Sequence, residues 1–225
     1  ALAAMVKAGE YDIGIAFDGD ADRCLAVDEL GGLIDGDQIM AACGLDMKYK
    51  GLLPQSTVVA TVMSNLGFHR YAKENGMSLE CTDVGDRNVL ERMVEKGYRL
   101  GGEQSGHMIF LDHATTGDGQ LTALKMLALL KESGKKASEV FGGCPRYPQV
   151  LVNIPVADND AKKAAMASPL LAQAIQREEE ALSGEGRVLV RPSGTEALMR
   201  VMVEAKTQKL AEETAQRLAG LIPSL

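Results

Sequence analysis

The chain has 225 residues, 46% apolar and 24% charged, enough for one large or two modest domains with real cores. Its formal net charge of −7 argues against nucleic-acid binding but leaves an anionic substrate open, because a few arginines focused in a cleft outweigh a distant negative surface. No apolar run approaches the roughly 20 residues of a membrane span and no signal peptide opens the chain, so a cytoplasmic protein with no membrane partner is expected.

In chain order, residues 2–7 look helical and 12–17 read as a buried strand, followed by Asp18-Gly19-Asp20-Ala21-Asp22-Arg23. Three carboxylates at alternate positions repel one another unless one is protonated or a hard cation sits among them. An oxygen-only donor set favours Mg²⁺ or Ca²⁺ over zinc or copper. The residues alone leave three readings: a solvated acidic turn, an EF-hand, and a phosphatase-type Asp-x-Asp motif with Asp18 as the attacking group. Against the EF-hand stand Arg23, where that loop needs Gly, and the strand in place of a leading helix.

Residues 24–28 read as a second strand, and 36–49 as an amphipathic helix opened by Asp35 or Asp37. A β-branched run at 57–63, a helix capped by Ser64 or Asn65, an Asn75-Gly76 turn and a strand at 78–82 make a βαβ unit. A helix at 86–96 then leads into Gly102-Glu103-Gln104-Ser105-Gly106-His107, a strand at 108–111 and a strong helix at 121–130. Glu103 and Ser105 between glycines suit bidentate hydrogen bonding of vicinal sugar hydroxyls, or form a mere turn. The Gly and Pro density of residues 142–148 marks a domain connection. Beyond it, strands at 150–156, 187–191 and 198–205, a mostly helical stretch at 160–182 and a closing helix at 207–221 make an α+β module of about 75 residues, near the lower limit for independent folding. Arg191-Pro192-Ser193-Gly194-Thr195-Glu196, between two strands, has the parts of a phosphate cradle or of a polar hairpin turn. Cys24, Cys43, Cys81 and Cys144 form no Cys-x-x-Cys pair and read as core thiols; His69, His107 and His113 read as structural or supporting, with His107 nearest the 102–106 stretch.

Together and in this order, the stretches at 18–23, 102–106 and 191–196 resemble the metal-binding, sugar-binding and phosphate-binding loops of the α-D-phosphohexomutase superfamily. Residues 82–87, 102–107 and 116–119 look like its bacterial phosphoglucosamine mutase subfamily; the phosphoglucomutase and phosphomannomutase branch usually carries Met where Gln104 stands. The resemblance implies an α/β fold, with a three-layer mixed-sheet domain followed by a small α+β C-terminal domain. It implies interconversion of glucosamine 6-phosphate and glucosamine 1-phosphate through a phosphoserine and a glucosamine 1,6-bisphosphate intermediate. Glucose or mannose phosphate specificity, or a non-catalytic sugar-phosphate binding module, are the alternatives.

Carried over by resemblance, Asp18, Asp20 and Asp22 hold Mg²⁺, and Arg23 steadies the transferring phosphoryl group. Glu103 and Ser105 grip the sugar hydroxyls, with Arg87 as a further cation nearby. Arg191, Ser193, Gly194 and Thr195 hold the other phosphate, with Arg200 in support. Two departures stand out: Ala197 replaces a common Pro, and no Ser-x-Ser-His-Asn-Pro stretch carrying the family's nucleophile occurs. The expectation is therefore a C-terminal part of a longer protein, inactive alone: residues 1–34 as the tail of a second domain, 35–143 as a third and 144–225 as a fourth. The missing N-terminal half is its expected partner, and a homodimer is left open.

Overall fold

Two short apolar runs pair at once and turn the acidic stretch into the tip of a hairpin. In the computed structural model, which describes residues 1–222, helix α1 (Leu2–Ala8) precedes strands β1 (Ile13–Phe17), β2 (Cys24–Asp28) and β3 (Leu33–Ile34). These make an antiparallel sheet in the order β1-β2-β3, with Phe17 opposite Cys24. Residue 18 thus leaves β1 and residue 23 enters β2.

Helix α2 (Gly36–Tyr49) begins at Asp35, whose side chain accepts from the Gln38 amide while Gln38 reaches back to the Asp35 amide, a reciprocal cap. Then come β4 (Thr57–Thr61), α3 (Leu66–Glu74), β5 (Ser78–Thr82), α4 (Asp86–Lys96), β6 (Leu100–Gly102), β7 (Met108–Phe110), α5 (Gly119–Ser133) and α6 (Ala137–Phe141). The sheet order is β5-β4-β6-β7, with β4 parallel to β5 and β6 and only β7 antiparallel. Strand β4 is buried on both faces. Val58 and Ala60 join the core with Ile39, Met40 and Phe68, whereas Val59 packs with Val89 and Met93 of α4. Helices on both sides of a mixed sheet give three layers, as the α/β expectation requires.

The chain divides into two compact units, Ala1–Pro145 and a second beginning at Arg146. The second holds β8 (Gln149–Pro155), α7 (Asn159–Ala167), α8 (Pro169–Ala181), β9 (Gly186–Pro192), β10 (Leu198–Ala205) and α9 (Gln208–Leu221), with an antiparallel sheet ordered β8-β10-β9. Met199, Val201 and Val203 alternate into a core completed by Val188, Val190, Leu171, Ala211 and Leu218. No helix among the described residues is long and apolar enough to cross a membrane.

The mostly helical stretch at 160–182 is divided at Ser168, which is extended (φ −70°, ψ 121°), because Pro169 has no N–H to give and its ring excludes a helical residue before it. Strand β3 and helix α6 were not anticipated, being too short for a periodic signal. Phe68 is fully buried against α2 and β4. Phe68→Ala is expected to lower stability by about 3–5 kcal/mol, read as a shift in the urea unfolding midpoint.

Candidate functional site

The hairpin tip gathers its acids through backbone geometry. Ala21 donates its amide to the Asp18 carbonyl and adopts φ 60°, and the Arg23 amide donates to Asp18 Oδ1 at 3.2 Å. A left-handed alanine costs roughly 1 kcal/mol, so something must hold it. The Gly119 amide, at the start of α5, donates to the Ala21 carbonyl at 2.9 Å. A Cβ on Gly119 would sit 2.6 Å from the Arg23 carbonyl oxygen, so a glycine is what lets the helix approach.

Held this way, Asp18, Asp20 and Asp22 bring one carboxylate oxygen each within 4.8 Å of one another. Desolvation, then the charges of Asp18 and Asp20, push the Asp22 carboxyl above its ordinary range, and His107 opposes them. Arg23 Nε lies 3.8 Å from Asp18 Oδ2, and His107 Nε2 lies 3.5 Å from Asp22 Oδ2. Clustered oxygen donors that outnumber the cations beside them fit a hard divalent cation.

The 102–107 loop is stitched directly to this hairpin. The Cys24 amide donates to the Gly106 carbonyl, Arg23 and His107 form a β-bridge, and Gly106 itself has φ 95° with its Cα against the Cys24 carbonyl. On the other side the Gly36 amide of α2 donates to the Gln104 carbonyl. Glu103 is anchored by the Gly85 amide at 3.1 Å and accepts from Ser105 Oγ at 3.2 Å, so the carboxylate and hydroxyl converge. Gln104 turns inward: its Nε2 donates to Asp37 Oδ2, which also accepts from the Asn65 amide. Arg87 is not brought to this loop. Its side chain is 86% exposed and pairs with Glu91 one turn along α4, two residues beyond the Gly85 amide that holds Glu103.

In the second unit, Arg191-Glu196 joins β9 to β10. Ser193 Oγ accepts from the Glu196 amide, which leaves its own proton for a ligand, while the amides of Gly194 and Thr195 make no hydrogen bond among the described residues. Arg191 and Arg200 are directly opposed across the β9–β10 ladder and therefore share a face. Arg200 pairs with Glu196 at 2.8 Å, whereas Arg191 makes no ion pair among the described residues; desolvation, then the Arg200 charge, hold its pKa below the usual arginine range. Two opposed guanidiniums beside free amides suit a phosphate dianion.

Buried His107 beside Asp22, Asp37 behind Gln104, and Lys162 beneath Ser193 were not identified from sequence as site elements. For His107 the adjacency to the 102–106 stretch was a signal; the other two contacts join residues 67 and 31 positions apart and leave none.

A family profile described as phosphoglucomutase/phosphomannomutase, alpha/beta/alpha domain III, matches residues 35–147, and the C-terminal domain of the same family matches 151–221. Phosphoglucosamine mutases of Ruminiclostridium cellulolyticum and Pelotomaculum thermopropionicum are 55% and 54% identical over 98% and 100% of this chain. The chain spans about half the length of these curated relatives, 49% and 50%. Among solved structures, Aspergillus fumigatus N-acetylphosphoglucosamine mutase in complex with GlcNAc-6P and magnesium superposes with a TM-score of 0.79 over 99% of this chain and 52% of its own, at 24% identity. A Burkholderia thailandensis phosphoglucomutase/phosphomannomutase family protein gives 0.78 over 98% and 49%, at 21% identity. At such identities these structures support the fold alone.

Because Asp22 binds its proton more tightly when folded, its contribution to stability falls as pH rises through its ordinary value near 3.8 to its raised folded value, and stays lost above. In EDTA at about pH 7, Asp22→Asn should therefore melt above the parent, with the gap closing near about pH 3. Equal melting temperatures at both values would contradict the crowding of the three acids.

Proposed function

The chain belongs to the phosphoglucomutase/phosphomannomutase family, and we propose that it supplies the metal, sugar and phosphate loops of a cytoplasmic enzyme interconverting glucosamine 6-phosphate and glucosamine 1-phosphate. The observation that carries this reading is the fusion of the acidic hairpin and the 102–107 loop into one surface by the Cys24–Gly106 and Arg23–His107 contacts. Relatives at 51–56% identity that carry the name phosphoglucosamine mutase support the amino-sugar assignment.

In this reading Asp18, Asp20 and Asp22 hold Mg²⁺, which when bound neutralises charge on the phosphoryl oxygens. Arg23, on the same hairpin, steadies the transferring phosphoryl group. Glu103 and Ser105 orient the sugar through two adjacent hydroxyls, a grip that survives exchange of the sugar's two ends. Arg191, Ser193, Gly194 and Thr195, with Arg200 behind them, hold the phosphate not in transfer. The reaction would pass through a glucosamine 1,6-bisphosphate intermediate, and the phosphoserine donor is assigned to a part of the protein outside this chain. The matching of domain III and the C-terminal domain alone supports that assignment, with residues 1–34 as the tail of a preceding domain.

One observation favours a second reading. Gln104, the residue that separates the glucosamine branch by resemblance, faces Asp37 instead of the open side of its loop. This hydrogen bond occupies the Gln104 amide nitrogen, and glucose or mannose phosphate is the competing substrate.

Titrating the chain with glucosamine 6-phosphate, glucose 6-phosphate and mannose 6-phosphate in Mg²⁺ tests both, read by amide NMR shifts. The amides of Glu103, Ser105, Gly194 and Thr195 are expected to move, most strongly with the amino sugar; a preference for glucose moves the substrate, and silence at every loop sinks the reading. A Cβ at Gly194 would meet nothing within 4 Å, so Gly194→Ala should leave the unfolding free energy within about 0.5 kcal/mol while weakening phosphate binding at least about tenfold.

A further inference from the structure

Lys162, on α7, is an ammonium with only 6% of the residue exposed, and no carboxylate lies within ion-pair distance of it among the described residues. A buried cation without an anion is strongly disfavoured unless its protons are taken up and its charge answered nearby. Its Nζ donates to the carbonyl oxygen of Ser193 at 2.8 Å. The acids closest in sequence are otherwise engaged: Asp158 caps α7 and Asp160 pairs with Lys163. A cavity of about 520 Å³, lined by Asn159, Lys162, Lys163, Met166, Pro192 and Ser193, opens beside this contact.

The carbonyl that Lys162 holds belongs to the same peptide group as the Gly194 N–H. No cis peptide bond occurs among the described residues, so that C=O and N–H point in opposite directions. A cation on the oxygen draws electron density through the planar amide and makes the N–H a stronger donor. The Gly194 amide has no hydrogen-bond partner among the described residues, and the space around Gly194 is open. Arg191, Arg200 and Lys162 thus surround a loop whose one carboxylate is Glu196.

We infer that Lys162 is a positioning residue for phosphate recognition: it pins the Ser193–Gly194 peptide from behind, so that the Gly194 N–H faces the bound phosphate as a polarised donor. The phosphate in turn supplies the negative charge that the buried ammonium lacks. The inference rests on the reading of residues 191–196 as a phosphate-binding loop.

The full chain would be titrated with inorganic phosphate and then glucosamine 6-phosphate, following the Gly194 and Thr195 amide protons. In the wild type, Gly194 should move further downfield than Thr195, whose own peptide carbonyl carries no lysine. Lys162→Met should weaken phosphate binding about tenfold with an unchanged amide spectrum elsewhere, and Lys162→Arg should restore it to within about threefold. If Lys162→Met does not fold, the wild-type comparison decides alone: equal shifts at Gly194 and Thr195 overturn the inference. Wild-type binding matched by a folded Lys162→Met also overturns it and leaves the phosphate loop standing. Absence of any response at both amides in the wild type overturns the phosphate-loop reading itself, and the inference with it.

Discussion

The loop at 102–107 is held by main-chain hydrogen bonds before any of its side chains matters. Its Gly106 and Gln104 carbonyls accept from the amides of Cys24 and Gly36, and the Glu103 amide donates to the His107 carbonyl. These bonds come from three different parts of the fold: the strand after the acidic hairpin, the start of α2, and the loop's own far end. Because backbone groups set the frame, Glu103, Ser105 and His107 are presented at fixed points, and the Cys24–Gly106 bond brings His107 beside Asp22 of the acidic hairpin. Buried Asp37 extends the frame inward through Gln104 and the Asn65 amide.

The second unit gathers cationic side chains around residues 191–200. Placing Arg191 opposite Arg200 on one sheet face is unfavourable by itself, and Glu196 answers only one of them. Lys162 adds a third positive centre from below. The sheet that tolerates this arrangement is supported by an unbroken apolar row, Met199, Val201 and Val203, on its other face, so the electrostatic cost is carried by packing elsewhere.

What was legible in the sequence divides along physical lines. Strands β4 and β5 and helices α4, α5 and α9 announce themselves by β-branched runs, caps and apolar spacing, and the acidic hairpin by its own composition. The choice between Asp35 and Asp37 as the α2 cap is settled locally by Gln38, which exchanges hydrogen bonds with Asp35, while Asp37 turns to the distant Asn65 amide and Gln104. Arg87 pairs with Glu91 one turn along α4, a partner set by helical phase that the family resemblance does not announce. Lys162 looked like any surface lysine of an amphipathic helix, and only the return of the chain at Ser193 buries it.

The break at Ser168-Pro169 also sets a length. A continuous helix over residues 159–181 would run about 34 Å at 1.5 Å per residue, whereas β8, the seven-residue strand that feeds it, spans roughly 23 Å. Such a rod would overhang the sheet and leave apolar side chains beyond its edge. Divided at the proline, the same residues become two pieces, each shorter than the strands they cover. Pro169 is in that sense the ruler of the unit: one ring, by stopping a helix, matches two layers that were never measured against each other.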